Sequence, residues 1–134
     1  MTLIEIMVVV IILGMMAVAL SAGLFGKVAQ ANREIARIQL RELHDHVALY
    51  KQYNKEYPSP AEGLAVLTNP IARADASYYV EPSKLEDPWG HTIQLLVPGP
   101  AGQPFEVVSY GADGAPGGSG ENADLSSTRD APEQ

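Results

Sequence analysis

Glu5 is a lone carboxylate at the front of a long apolar run, where it could form an ion pair. The twenty residues that follow it, Ile6 to Phe25, carry no charge, and a helix needs about 20 such residues to cross a bilayer. A carboxylate near the bilayer centre costs on the order of 2.5–3.5 kcal/mol, so it marks function and needs a partner. No Lys or Arg precedes Lys27, and the nearest cation is the α-amino group of Met1. A carboxylate that pairs with an N-terminal amine suggests a chain that meets copies of itself.

A glycine-rich segment near the C-terminus could bind a metal ion. Residues 111–125 read G-A-D-G-A-P-G-G-S-G-E-N-A-D-L, whereas a flexible linker mixes Gly with Ser. Glycines let the chain fold back so that oxygen atoms converge, as the shell of roughly six to eight oxygens around Ca²⁺ requires. The EF-hand spacing is absent, so a calcium site and a solvated acidic loop both remain open. The candidate ligands are the side chains of Asp113, Asp124, Asn122 and Ser119 and the backbone carbonyl of Tyr110.

The remaining residues give little support for catalysis. The chain has no cysteine, which excludes disulfides, zinc–thiolate sites and thiol nucleophiles. His44 and His46 are two residues apart on a predicted helix and face different directions. With His91, they are interpreted as ordinary surface or boundary residues. No nucleophile elbow, P-loop or dinucleotide fingerprint occurs, so the sequence predicts no enzyme. The net charge of −7 argues against a nucleic-acid partner, which requires a basic face.

One long helix is predicted to position Glu5. No proline occurs before Pro58, and the helical pattern runs from about residue 2 to 54. After the apolar run the pattern becomes amphipathic, with one apolar stripe down a helix face; its members are Ala36, Leu40, Leu43, Val47 and Tyr50. Three segments follow: an apolar transmembrane or filament-core helix at 1–26, its amphipathic continuation at 27–55, and a small globular head at 56–134. A cleavable signal peptide is disfavoured because no basic residue precedes the apolar run.

Two glycine-containing sites leave open whether the predicted helix is rigid along its whole length. Gly14 and the cluster Ser21-Ala22-Gly23, with Gly26, are weak points, since each interior glycine costs roughly 1 kcal/mol relative to alanine. Gly14 favours close helix packing of the small-residue kind. Local unwinding that lets the stalk stretch is the alternative.

The head is predicted to combine short helices and an antiparallel sheet. Ser59-Pro60-Ala61-Glu62 has the pattern of a capping box that opens a short helix to about Leu67. Asp87-Pro88-Trp89-Gly90 predicts a type I turn. The predicted strands are a short one at 77–80 and two longer ones at 91–97 and 105–110, the last two joined by a hairpin loop at 98–103. The stretch 71–86 is otherwise expected to be a loop, and 129–134 a frayed tail.

Several motifs together resemble one protein family. T-L-I-E-I-M-V-V-V-I-I-L-G at 2–14 is similar to the mature N-terminus of type IV pilins and pseudopilins. Tyr57-Pro58, E-G-L at 62–64, D-P-W-G at 87–90 and S-Y-G-A-D-G…G-G-S-G-E-N-A-D-L at 109–125 resemble the major pseudopilins of bacterial type II secretion systems. The resemblance covers nearly the whole chain. It implies an α+β fold of the type IV pilin kind, with a long N-terminal helix packed on a small antiparallel sheet and a calcium loop.

The resemblance also implies a life cycle and partners. A prepilin peptidase cuts a short basic leader from the precursor just before residue 1 and N-methylates the new terminus. By the same resemblance, the subunit is stored in the inner membrane and then polymerises into a periplasmic filament. Its partners in assembly are minor pseudopilins and an inner-membrane assembly platform. The carboxylate that matches Glu5 neutralises the N-terminal amine of an adjacent subunit. The family's calcium loop falls on Asp113 and Asp124, with Asn122 at the place of another acidic ligand.

Two departures from the family pattern are visible. Members usually begin with Phe, whereas this chain has Met1, and Ser21-Ala22-Gly23 occupies the place of a proline often found near residue 22. Two alternative functions remain beside the pseudopilin interpretation. A type IV pilus major pilin is disfavoured by the absence of a C-terminal cysteine pair. A membrane-anchored periplasmic enzyme or binding protein leaves Glu5 unexplained.

Overall fold

A single long helix, α1, accounts for the first part of the chain. The computed structural model describes residues 1–69 and 77–128, and α1 spans Leu3–Asn54. This confirms the helix predicted over 2–54, and α1 continues without a break through Gly14 and Ser21-Ala22-Gly23. It ends where Lys55 takes a left-handed conformation (φ 67°), with its amide still bonded to the Lys51 carbonyl at 2.7 Å. A left-handed residue directly after the last turn is a common helix stop.

The chain forms two compact units. The first comprises Met1–Ala31 and the second begins at Asn32. In the first unit the apolar side chains of α1 are exposed all round the helix. Within the described part of the chain, α1 alone has the length and apolar composition needed to cross a membrane. The predicted segment boundaries at 26 and 55 stay a prediction.

The core of the second unit is built on one stripe of α1. Ala36, Leu40, Leu43 and Val47 are almost completely inaccessible to solvent, which confirms the predicted apolar face. Tyr50 lies at its edge, half-buried, and its ring meets Tyr78 edge-on with the ring centres 5.2 Å apart. The core is completed by apolar side chains from the loops and the sheet: Leu64, Leu67, Tyr78, Val80, Ile93, Leu95, Phe105, Val107 and Leu125.

A small antiparallel sheet covers this stripe. Its strands are β1 (Gln94–Leu96), β2 (Glu106–Ser109) and β3 (Leu125–Ser126), in the order β1-β2-β3. Leu95 faces Val107 across the first pair, and Ser109 faces Leu125 across the second. The predicted hairpin is confirmed, although both strands are shorter than predicted. β3 was not predicted because two residues are too short to show a period.

Two predicted elements of the head are wrong. The helix expected from Ser59 to Leu67 is a turn followed by a 3-10 helix at Gly63–Thr68, because Gly63 takes a positive φ of 56° that interrupts helical geometry. The strand expected at 77–80 has the right alternation, with Tyr78 and Val80 buried. No described strand pairs with it, and the Val80 amide bonds instead to the Leu67 carbonyl at 3.0 Å.

The remaining predictions for the head concern the turn at 87–90, the loop at 71–86 and the tail at 129–134. The turn at Asp87-Pro88-Trp89-Gly90 is confirmed by the Gly90 amide, which donates to the Asp87 carbonyl at 3.0 Å. A 3-10 helix at Pro82–Leu85 occupies part of the stretch that was expected to be a loop. The rest of that stretch, 71–76, and the tail at 129–134 lie outside the described residues.

Candidate functional site

In the single chain, Glu5 belongs to a helix cap. Its carboxylate accepts a hydrogen bond from the Thr2 amide at 3.4 Å, and its own amide donates to the Thr2 hydroxyl at 3.4 Å. This reciprocal pair is a capping box, in which Thr2 is the N-cap and Glu5 the third helical residue. A capping box satisfies two amides of the first turn, but it leaves the charge of the carboxylate without a cation. The cap therefore explains an acid or amide at residue 5, and leaves open why the residue is charged.

The glycine-rich loop folds back on itself around Asn122. Gly111 and Gly118 have φ values of 71° and 86°, and a Cβ on either would lie 2.9 Å or less from the backbone of Asn122. The Ala112 amide also donates to the Glu121 carbonyl at 3.1 Å. Three stretches of the loop therefore pass close to one another, and only glycine permits the two closest approaches.

The candidate calcium ligands occupy this loop at different positions. Asp124 is half-buried, and its two carboxylate oxygens lie 3.1 and 3.0 Å from the Gly117 amide. Asp113 is exposed, and one of its oxygens accepts from the Ala115 amide at 3.2 Å. Asn122 and Ser119 are exposed and linked by a backbone bond of 3.1 Å, whereas Tyr110 is half-buried at the end of β2.

The arrangement brings backbone segments that carry some of these candidates together. Asn122 lies against the backbone of Gly111 and Gly118, and Asp124 binds the neighbouring Gly117. Across residues 1–69 and 77–128, no three His, Asp or Glu side chains form a metal-binding group. A cation in the loop would therefore depend on two carboxylates supplemented by amide, hydroxyl and backbone oxygens. The ligand set stays a prediction.

The turn at 87–91 holds one side of the loop. The Trp89 indole donates to the Glu121 carboxylate at 3.1 Å. The His91 ring nitrogen Nδ1 lies 3.2 Å from the Gly111 carbonyl, and a Cβ on Gly114 would be only 2.9 Å from the same ring. Trp89 and His91 thus contact the loop near both its ends, a role that the sequence did not assign to them.

Asp87 anchors this turn from inside the second unit. Its side chain is 5% exposed, and one of its oxygens accepts the amides of Trp89 and His91 at 3.1 and 2.9 Å. The other oxygen accepts the Ser109 hydroxyl at 2.7 Å. The group contains a serine, a histidine and a carboxylate, but the hydroxyl bonds to the carboxylate. In a catalytic triad the hydroxyl must bond to the imidazole, so these residues form a structural network.

Arg33 also holds the loop, from α1. Its guanidinium nitrogen Nη1 donates to the carbonyls of Gly120 and Ala123 at 2.7 and 3.2 Å. The partners are 87 and 90 residues away along the chain, so no local pattern could reveal the contact. The available signal was an arginine on a flank of the amphipathic stripe.

Of the two histidines of α1, His44 has a packing contact. His44 is half-buried and stacks on Phe105 with the ring centres 4.5 Å apart, and it lies 3.2 Å from the Ser127 hydroxyl. His46 is also half-buried. Both side chains lie at the boundary of the core, as the sequence predicted.

Comparison with known proteins shows which family this chain is similar to. Residues 23–128 match the family described as type II secretion system (T2SS), protein G. Proteins named type II secretion system core protein G are similar to the chain in Pseudomonas aeruginosa (37% identical over 129 residues, 92% of this chain and 90% of that protein) and in Vibrio cholerae (35% over 128 residues, 92% and 87%). The crystal structure of the major pseudopilin from the type 2 secretion system of enterohaemorrhagic Escherichia coli matches with a TM-score of 0.57 and 28% identity, covering 77% of this chain and 91% of that one.

A long N-terminal helix whose second half packs on a small antiparallel sheet defines the pilin-like class of proteins, and the similarity to a solved pseudopilin confirms this fold. Within that class, the chain belongs to the type II secretion system protein G family, the pseudopilin subunits of that system. Membership favours the pseudopilin function over a type IV pilin or a periplasmic binding protein. It also implies assembly with other secretion components and a periplasmic location, and the apolar α1 is suited to membrane anchoring.

Proposed function

We propose that this pseudopilin polymerises through α1 into a periplasmic filament, the pseudopilus, that drives folded proteins across the outer membrane. The observation that carries the proposal is the first unit, Met1–Ala31, whose apolar side chains are exposed around the whole helix. A helix that is apolar on all sides must be covered by lipid or by other helices. The inner membrane covers it before assembly as a single-pass helix, and neighbouring subunits cover it in the filament.

Glu5 is the residue that distinguishes the two environments. In lipid its charge is costly, and the Thr2 cap supplies hydrogen bonds but no cation. In a filament the Met1 amine of an adjacent subunit supplies the missing charge, and N-methylation leaves that charge in place. The carboxylate therefore favours the polymer over the free subunit and sets the register of neighbouring helices.

The capping box allows a sharp test of this pairing. Glu5→Gln keeps the cap, because glutamine serves at this position as well as glutamate does, but it removes the charge. We expect Glu5→Gln and Glu5→Ala to block or scramble assembly, with membrane insertion and folding of the second unit intact. Electron microscopy of the assembled protein is the measurement.

Thr2→Ala is the matched control, since it removes the cap hydroxyl and keeps the carboxylate. We expect filaments from Thr2→Ala. Normal filaments from Glu5→Gln would show that the cap alone matters and that the amine-pairing role is wrong.

We infer a structural and not a catalytic role for this protein. Ser109, His91 and Asp87 form a hydrogen-bonded network that lacks the arrangement of a catalytic triad. Membership of the type II secretion system protein G family supports the further proposal that a prepilin peptidase exposes and methylates this N-terminal amine in the precursor. Minor pseudopilins and an inner-membrane assembly platform are the proposed partners during assembly.

We also propose that the glycine-rich loop binds Ca²⁺. The donors fit a hard cation because all are oxygens, and a carboxylate has about four lone-pair sites. Asp124 and Asp113 therefore retain acceptor capacity beyond their amide hydrogen bonds. These two side chains would hold the ion, with Asn122, Ser119 and the Tyr110 carbonyl completing its shell. The ion would cross-link stretches of the loop that the chain already folds together.

Thermal denaturation with and without Ca²⁺ tests the loop. At a concentration 100 times the dissociation constant, binding should add about 2.7 kcal/mol to the free energy of unfolding. Asp124→Asn keeps the size of the side chain and removes its charge, so it should lose most of that gain. An unchanged melting temperature of the unsubstituted protein over the physiological calcium range would contradict the site.

A further inference from the structure

Arg33 connects α1 to the half of the glycine-rich loop that contains Asp124. Its Nη1 atom lies 2.7 Å from the Gly120 carbonyl and 3.2 Å from the Ala123 carbonyl. Gly120 is the first residue of the short 3-10 helix Gly120–Asn122, and Ala123 directly follows that helix. One nitrogen of a half-buried arginine therefore joins both ends of this turn to α1.

The position of the contact relates it to the cation ligands. Ala123 directly precedes Asp124, and Asn122 lies inside the turn that Arg33 fastens. The carbonyls that Arg33 uses belong to Gly120 and Ala123, whereas the predicted backbone ligand is the carbonyl of Tyr110. Neither of these two carbonyls is therefore a predicted ligand atom.

The glycine content of the loop makes the hydrogen bonds from Arg33 important for its order. Glycines with positive φ recur through it, at Gly111, Gly114, Gly117, Gly118 and Gly120. Glycine loses more conformational freedom on ordering than any other residue, so this loop is costly to hold in one arrangement. A charged group on a rigid helix that is hydrogen-bonded to the loop orders it in advance. Ligand binding then loses less conformational entropy.

We propose that Arg33 is a positioning residue for the cation site of the loop, an inference that rests on the proposed calcium binding. The guanidinium orders Asn122 and Asp124 before the ion arrives. The charge of Arg33 acts in the opposite direction, since a guanidinium repels a divalent cation. Positioning predicts weaker calcium binding when Arg33 is replaced, and a purely electrostatic influence predicts tighter binding.

The matched pair Arg33→Met and Arg37→Met separates these effects. Both variants remove one positive charge from α1, one turn apart, and Met is a good helix former. Arg37 bonds to the carboxylate of Glu34 on α1 at 3.4 Å, not to a loop carbonyl. The full-length chain in detergent micelles is titrated with CaCl₂ in a calorimeter. We expect Arg33→Met to weaken calcium binding about tenfold relative to Arg37→Met, in keeping with the strength of charge-assisted hydrogen bonds.

Arg33→Lys tests the same idea with the charge retained. The ammonium group lacks the fixed fork of guanidinium donors, so we expect calcium affinity between those of Arg33→Met and the unsubstituted protein. The fluorescence of Trp89 gives a second readout, because it is the single tryptophan of the chain and its indole bonds to Glu121 in the loop.

Amide hydrogen exchange in EDTA measures how strongly Arg33 orders the loop in the absence of calcium. The amides of Asn122 and Ala123 are bonded within the turn at 3.1 and 3.2 Å. We expect them to exchange at least about tenfold faster in Arg33→Met, and at the unsubstituted rate in Arg37→Met. Unchanged exchange, or calcium affinity that is unchanged or higher in Arg33→Met, would overturn the positioning role. A protein that shows no calcium response at all refutes the calcium site, and the exchange rates in EDTA then decide whether Arg33 orders the loop.

Discussion

Gly118 shows how single residues set the shape of the loop. A Cβ at this position would lie 2.6 Å from the Asn122 carbonyl oxygen, a backbone atom. Gly117 has a similar φ of 91°, against 86° at Gly118, but a Cβ there meets nothing within 4 Å. The two neighbours have similar φ values and differ in the space around them, so an alanine at each position separates the cost of conformation from the cost of contact.

This contrast predicts different costs for the same substitution. Gly117→Ala should lower the free energy of unfolding by roughly 1–2 kcal/mol, the cost of a left-handed alanine. Gly118→Ala should cost more, because the backbone of Asn122 must also move. Thermal denaturation followed by near-ultraviolet circular dichroism measures both variants. Equal melting temperatures would show that the loop opens at Asn122 without loss of stability.

At the scale of elements, the turn at 59–62 keeps a capping box without the α-helix that was predicted to follow. The Ser59 hydroxyl donates to the Glu62 carboxylate at 2.8 Å, and the Ser59 amide donates to the same oxygen at 3.2 Å. These bonds, the hydroxyl first and the amide second, hold the pKa of Glu62 below its ordinary value of 4.5. Both bonds are donated to the carboxylate, and hydrogen bonds to the charged form of a group favour that form.

The lowered pKa predicts a pH dependence with a definite sign. A group whose folded pKa lies below its unfolded value stabilises the fold fully above the unfolded value, and this contribution disappears as the pH falls through the folded pKa. For Glu62 the loss therefore begins near 4.5 and continues below it. Ser59→Ala should raise the pKa of Glu62 towards 4.5, and Ser59→Thr should keep it low, as an NMR titration of the carboxyl carbon can show. An unchanged pKa in Ser59→Ala would assign the shift to another cause.

The elements that the sequence predicted correctly are those set by local patterns. The stripe through Leu40, Leu43 and Val47 repeats along one helix, and the turn at 87–90 is fixed by its own four residues. β3, and the stretch 77–80 that pairs with no described strand, depend on which distant strand is available, and no local period encodes that choice. The same limit applied to the loop: its glycines and acids were visible, whereas the contacts of Arg33 and Trp89 join residues far apart in the sequence.

At the scale of the whole molecule, the two units are stabilised by different means. The second unit has a core of apolar side chains around Leu43 and Leu67. The first unit has exposed apolar side chains, and the intrahelical hydrogen bonds of α1 satisfy its backbone. In an apolar environment no water competes for those bonds, so detergent or lipid preserves the first unit independently of the core in the second.

This difference predicts incomplete loss of helix when the full-length chain is heated in detergent micelles. The near-ultraviolet band of Trp89 should vanish as the second unit unfolds, while the far-ultraviolet signal of the first 31 residues persists. Leu43→Ala removes a side chain that is 1% exposed and should cost about 2–5 kcal/mol, lowering the midpoint by about 10 °C or more with the residual helical signal unchanged. Leu13→Ala, at a site 59% exposed in the first unit, should leave the midpoint where it was. Loss of all helical signal in one transition, shifted equally by both substitutions, would mean that the two units unfold as one.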